Sequence, residues 1–128
     1  MKRRLMICGV LSSLMLAACV STVPLTVKVN QRNSGGHLVM YRGQELVVEL
    51  QRSNDAAYAW TVSSYGPAVF ENPTKQVIQL EGQSVVVERY IFTAMRLGED
   101  QIRIAELRSD QVASSARREF EMRITVEK

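Results

Sequence analysis

The sequence is poor in the residues from which catalytic and metal centres are built. It holds one histidine, two cysteines and one tryptophan in 128 residues. A structural zinc site takes four ligands and a catalytic one three, so a single histidine without free thiols cannot supply either. An activated nucleophile needs a positioned base, and His37, beside a Gly-Gly turn, has no partner of that kind in the sequence. Asp55, Asp100 and Asp110 fall in separate polar segments without the spacing of a Ca2+ loop. Glu119 and Glu121 stand two apart on an alternating stretch, which makes them a solvated row rather than a carboxylate pair. There is no glycine-rich phosphate loop. These absences argue against an enzyme, and against a metal, a cofactor or a small-molecule substrate. Long apolar runs are missing too: the longest, Leu5 to Leu16, is well short of the roughly 20 residues that cross a bilayer as a helix.

What stands at the N-terminus has the layout of a secretory leader. Lys2, Arg3 and Arg4 precede the apolar run, and small residues follow it at a cleavage point. The segment Leu16-Ala17-Ala18-Cys19 resembles the bacterial lipobox, which implies cleavage before Cys19 and fatty acylation of that residue. The chain then divides into a leader (1–18), a lipidated cysteine with a short tether (19–24), and one domain (25–128). An anchor of several acyl chains is stable where a single chain is marginal. Val20 takes the place where an acidic residue marks inner-membrane retention in similar lipoproteins, so the resemblance implies an outer-membrane protein facing the periplasm. Removing the leader leaves 128 − 18 = 110 residues, and 16 − 3 = 13 basic residues against 13 acidic ones. The basic pI of 9.1 therefore belongs to the leader, and a nucleic-acid partner is excluded for want of retained positive charge. Cys8 leaves with the leader and Cys19 carries lipid, so no disulfide is available and core packing must hold the domain.

The domain reads as β throughout. Leu46, Val48 and Leu50 share one face of an extended stretch while Val47 and Glu49 take the other, the period-2 pattern of a half-buried strand. Ser53, Asn54 and Asp55 supply turn chemistry, and the chain returns through Tyr58, Trp60 and Val62. Trp60, the one tryptophan, is the expected centre of the core. Leu25, Val27 and Val29 alternate inward ahead of a loop at 31–36; Leu38 and Met40 mark a short strand. Turn clusters follow at 63–67 and 72–74, around the apolar run 68–70. Ile78 and Leu80 alternate before a reversal at Glu81-Gly82-Gln83. Val86, Tyr90, Phe92 and Ala94 share a face that Glu88 interrupts, which places the buried part from Tyr90 onward. Leu97 to Asp100 reads as a turn, Ile102 and Ile104 as a strand, and 108–116 as a long loop. Phe120, Met122, Ile124 and Val126 form the clearest strand. Such spacing predicts an immunoglobulin-like antiparallel β-sandwich of seven or eight strands.

Sandwiches of this kind act through loops gathered at one end. The run Ser53-Asn54-Asp55-Ala56-Ala57-Tyr58-Ala59-Trp60 resembles the first binding loop of chagasin-type inhibitors of papain-like cysteine peptidases. In that family an Asn-Pro-Thr-Thr-Gly loop leads into an aromatic-x-Trp strand. Asn54 and Trp60 match; Asp55, Ala56 and Ala57 replace Pro-Thr-Thr, and the loop is one residue shorter. Gly82, with Gln83 and Ser84, stands where the family carries a glycine-rich second loop. Arg108 stands where its Arg-Pro-aromatic third loop begins, with Ser109 and Asp110 in place of the proline and the ring. The resemblance implies a wedge of three loops that occupies a peptidase cleft. The alternative reading of the same residues is an accessory lipoprotein that packs against proteins of an envelope assembly.

Overall fold

The computed structural model of the chain describes residues 25–54, 57–65, 70, 72–79, 81–110 and 116–128. The leader and tether, with Cys19, lie outside the described residues, as do Asp55, Ala56, Leu80 and parts of the expected turns at 66–69 and 111–115.

Among the described residues eight strands form two layers. They are β1 (Thr26–Asn30), β2 (His37–Tyr41), β3 (Glu45–Ser53), β4 (Tyr58–Ser64), β5 (Thr74–Gln79), β6 (Val85–Thr93), β7 (Gly98–Arg108) and β8 (Arg118–Glu127). One sheet has the order β1-β3-β6-β5 and the other β2-β8-β7-β4. The hairpins β5–β6 and β7–β8 stay within a sheet, whereas β3 to β4 crosses between them. A 3-10 turn, Gln31–Asn33, follows β1 and is closed by a reciprocal capping box between Asn30 and Asn33. The sandwich and its strand number match the sequence expectation; the purely antiparallel pairing does not. β1 runs parallel to β3, and β2 runs parallel to β8. Both are outer strands, and the β1–β2 and β2–β3 connections cross between the sheets, so no tight hairpin imposes an antiparallel direction on either.

The alternating faces meet in one core. Leu46, Val48 and Leu50 are buried with Trp60, Phe92, Ile102, Ile104, Phe120, Met122 and Ile124. Phe70 packs edge-on against Phe92, with ring centroids 5.8 Å apart, a favoured arrangement of aromatic quadrupoles. Two expectations need correction. Leu25 is 78% exposed, because the β1–β3 ladder begins only at Thr26 opposite Glu45. Gly98 to Asp100 are not a turn: they open β7, with Val126, Thr125 and Ile124 of β8 as register partners. Their turn-like composition yields to the ladder with β8.

Trp60 is 1% exposed at the centre of this core. Trp60→Ala is expected to destabilise the domain by about 3–5 kcal/mol, read from the urea midpoint; a wild-type midpoint would refute its central role.

Candidate functional site: three loops above a charged layer

The two ends of β3 define the two ends of the sandwich. At its C-terminal end Ser53 is opposite Val85 of β6, and Tyr58 at the start of β4 is opposite Arg108 at the end of β7. The β3–β4, β5–β6 and β7–β8 connections therefore leave from the same end. Asn54, Ala57, Gly82, Gln83, Ser84, Arg108, Ser109 and Asp110 all lie there and are exposed; Asp55 and Ala56 are outside the described residues.

Backbone contacts join these loops. The Asn54 N–H donates to the Ser84 carbonyl at 2.9 Å, tying the first loop to the second. Gly82 has φ of 75°, and a Cβ built there would meet nothing within 4 Å. Glycine is thus favoured by the backbone conformation itself and not by crowding. Arg108 Nε lies 3.5 Å from Asp110 Oδ1 within the third loop. Between the first and third loops runs an open groove of about 330 Å3 lined by Ala57, Tyr58, Leu107, Arg108 and Ser109.

Beneath the loops lies a layer that the sequence reading missed. Glu88 was expected to expose its end of the strand; it is instead 1% exposed and points between the sheets. β4 is an edge strand, and the backbone of Trp60 that faces away from β7 would lack partners. Glu88 Oε2 accepts from the Trp60 N–H at 2.7 Å. The Trp60 carbonyl accepts from the Tyr90 hydroxyl at 2.6 Å and from Lys75 Nζ at 3.2 Å. Lys75 Nζ also lies 2.8 Å from Glu88 Oε1, and Arg52 Nε 3.1 Å from Oε2. Side chains of one sheet thereby complete the open edge of the other. Burial raises the Tyr90 hydroxyl above its ordinary pKa, so it stays a donor at neutral pH.

Glu106 does the same for the third loop from the opposite sheet. Fully buried, it receives Arg117 Nε and Arg118 Nη2, each at 2.6 Å. Arg117 lies 3.9 Å above the Tyr58 ring, a cation–π contact between the third loop and the first. Arg118 Nη2 and Trp60 Nε1 both donate to the Gln51 carbonyl, at 3.1 and 3.2 Å. Burial alone would raise the Glu106 carboxyl, but the hydrogen bonds and charges of Arg118 and Arg117 prevail and hold it below its ordinary range. The available signal was register: Glu88 continues the inward row of Val86 and Tyr90, as Glu106 continues that of Ile102 and Ile104.

His37 lies exposed on β2, with Nε2 2.7 Å from Thr125 Oγ1. Glu121 of the outward row sits 3.6 Å from Arg103. Among the described residues no group of three or more His, Cys, Asp or Glu side chains could hold a metal.

Two expectations follow. Glu88→Ala strands the Trp60 N–H and two cations, and should cost about 3–5 kcal/mol in chemical denaturation; Glu88→Gln, which retains an acceptor, should cost less. A carboxyl lowered by folding contributes stability that is present above its ordinary value and lost as pH falls through its folded value. The wild type should therefore lose Tm as pH drops below 4.5. Glu106→Gln should flatten that part of the profile, and an unchanged pH profile would refute the assignment.

No family model matches the sequence, and no curated protein matches it. Solved structures do match in shape. The cysteine protease inhibitor EhICP2 of Entamoeba histolytica superposes with a TM-score of 0.70 at 11% identity, covering 80% of this chain and 95% of that one. Amebosin gives 0.66 at 17% identity, covering 82% and 100%. PbICP-C, solved in complex with falcipain-2, gives 0.52 at 14% identity, covering 80% and 98%. At these identities the likeness is one of fold.

Proposed function

We propose that this chain is a lipid-anchored inhibitor of a papain-like cysteine peptidase, acting through the three loops at one end of its sandwich. The observation that carries the reading is the convergence of Asn54, Gly82 and Arg108, 28 and 26 residues apart in sequence, on one end of the fold. The shared fold with EhICP2 and PbICP-C supports it, as does the Asn54-to-Trp60 match to the chagasin-type loop. The buried layer gives the loops a rigid base, and a preorganised wedge loses little conformational entropy on binding. The activity is occupancy of a cleft and makes no bond. β1 starts at the opposite end of the domain, so a chain tethered through Cys19 would present its loops away from the outer membrane, toward the periplasm.

Titrating purified residues 20–128 against papain should give competitive inhibition. Asn54→Ala and Arg108→Ala should each weaken it roughly tenfold, about 1.4 kcal/mol. No inhibition at high micromolar concentration would sink the reading. A second reading, an accessory lipoprotein within an envelope assembly, draws on the third loop, where the Arg108–Asp110 pair replaces an aromatic anchor of the sort that dominates interface energy. Cross-linking in intact cells to a stable envelope protein, without inhibition, would favour it. The anchor has its own check: Cys19→Ser should abolish partitioning into detergent.

A further inference from the structure

The end opposite the loops carries apolar surface that folding does not require. Six large apolar side chains are exposed among the described residues, and four of them, Leu25, Tyr41, Met95 and Leu97, gather here. The backbone places them together. The Leu25 carbonyl accepts from the Glu45 N–H at 2.8 Å, and the Tyr41 carbonyl from the Gln44 N–H at 3.0 Å. Gly43 and Gln44 in turn exchange hydrogen bonds with Ala94, next to Met95. Met95-Arg96-Leu97 forms the tip of the β6–β7 connection, a place where polar and turn-forming residues are the rule. The core beneath is already closed, since Ala94 and Val126 are buried. Large apolar side chains left exposed together at one end of a domain point to a contact site.

Its chemistry suits a bilayer boundary. Arg42, Arg96 and Lys128 at this end are matched by Glu45, Glu99 and Glu127, so net charge selects neither an acidic nor a basic partner. Tyrosine favours the headgroup level, and arginine can lay its stem along apolar surface with its head in water. The sequence between Cys19 and Leu25 spans at most roughly 17 Å when extended. The loops stand about 27 Å away, the length of the nine-residue strand β3.

We infer that this end seats directly on the bilayer, burying Leu25, Tyr41, Met95 and Leu97 at the headgroup boundary and holding the three loops upright above it. The inference rests on the lipid-anchor reading above.

The test uses the full chain, processed by a bacterial host and reconstituted into phosphatidylcholine–phosphatidylethanolamine vesicles. With Cys8 removed and Cys19 acylated, Arg96→Cys and Gln83→Cys each give one labelling site, at the tip and at the loop end. A fluorophore at position 96 should be quenched by aqueous iodide several-fold less than one at position 83. Adding Leu25→Ser and Leu97→Ser to the Arg96→Cys chain should restore quenching. Equal quenching at both positions, or protection that survives the two serines, would overturn the inference while leaving the anchor intact. A chain that does not float with vesicles would remove the anchor reading and this inference together. Protection that appears without vesicles and rises with protein concentration would assign the surface to a second copy. Protection confined to intact cells would assign it to a protein partner. Either of the last two outcomes overturns the inference.

Discussion

The buried carboxylate of Glu88 joins the two sheets by directional polar contacts where apolar packing alone would not. One oxygen takes the Trp60 backbone N–H and Arg52; the other takes Lys75. Hydrophobic contact between sheets is non-directional and would tolerate sliding of one layer over the other. A buried acceptor with assigned donors does not tolerate it, because each donor left behind would be desolvated and unpaired. Desolvation offsets much of the Coulombic gain, so such a cluster adds little net stability. What it fixes is where the edge of β4 lies relative to β6, and hence where the first loop stands relative to the second.

Glu106 extends this constraint to the third loop. It grips Arg117 and Arg118 at the start of β8, while Arg117 covers Tyr58 at the start of β4. Each loop of the proposed binding end is thus rooted on a buried carboxylate, and the two carboxylates come from opposite sheets. The loops themselves can be short and plain in composition because their positions are set from below.

The two ends of the sandwich differ in chemistry. One carries loops over a charged floor; the other carries exposed leucine, methionine and tyrosine beside the point where the described chain begins. The groove at the loop end is open and runs between the first and third loops.

Much of the fold was legible because a strand writes its burial into alternate residues. Leu46, Val48 and Leu50, and again Phe120, Met122, Ile124 and Val126, announced both their strands and their inward faces. Trp60 could be placed at the centre on size alone, and the loops could be nominated from Asn54, Gly82 and Arg108. Where the reading failed, it failed at charge and at direction. Glu88 interrupts an apolar face, so the buried part of that strand reads as starting at Tyr90; the partners that meet it inside, Arg52 and Lys75, lie 36 and 13 residues away in sequence. Leu25 reads as inward because alternation says nothing of where a ladder stops. The parallel placement of β1 and β2 left no local mark at all. The strands, the core and the candidate loops can be read from residue order, since each depends on neighbours a few residues apart. Strand direction, the buried carboxylates and the meeting of the loops emerge from the packed fold, since those depend on partners that come together only once the two sheets have met.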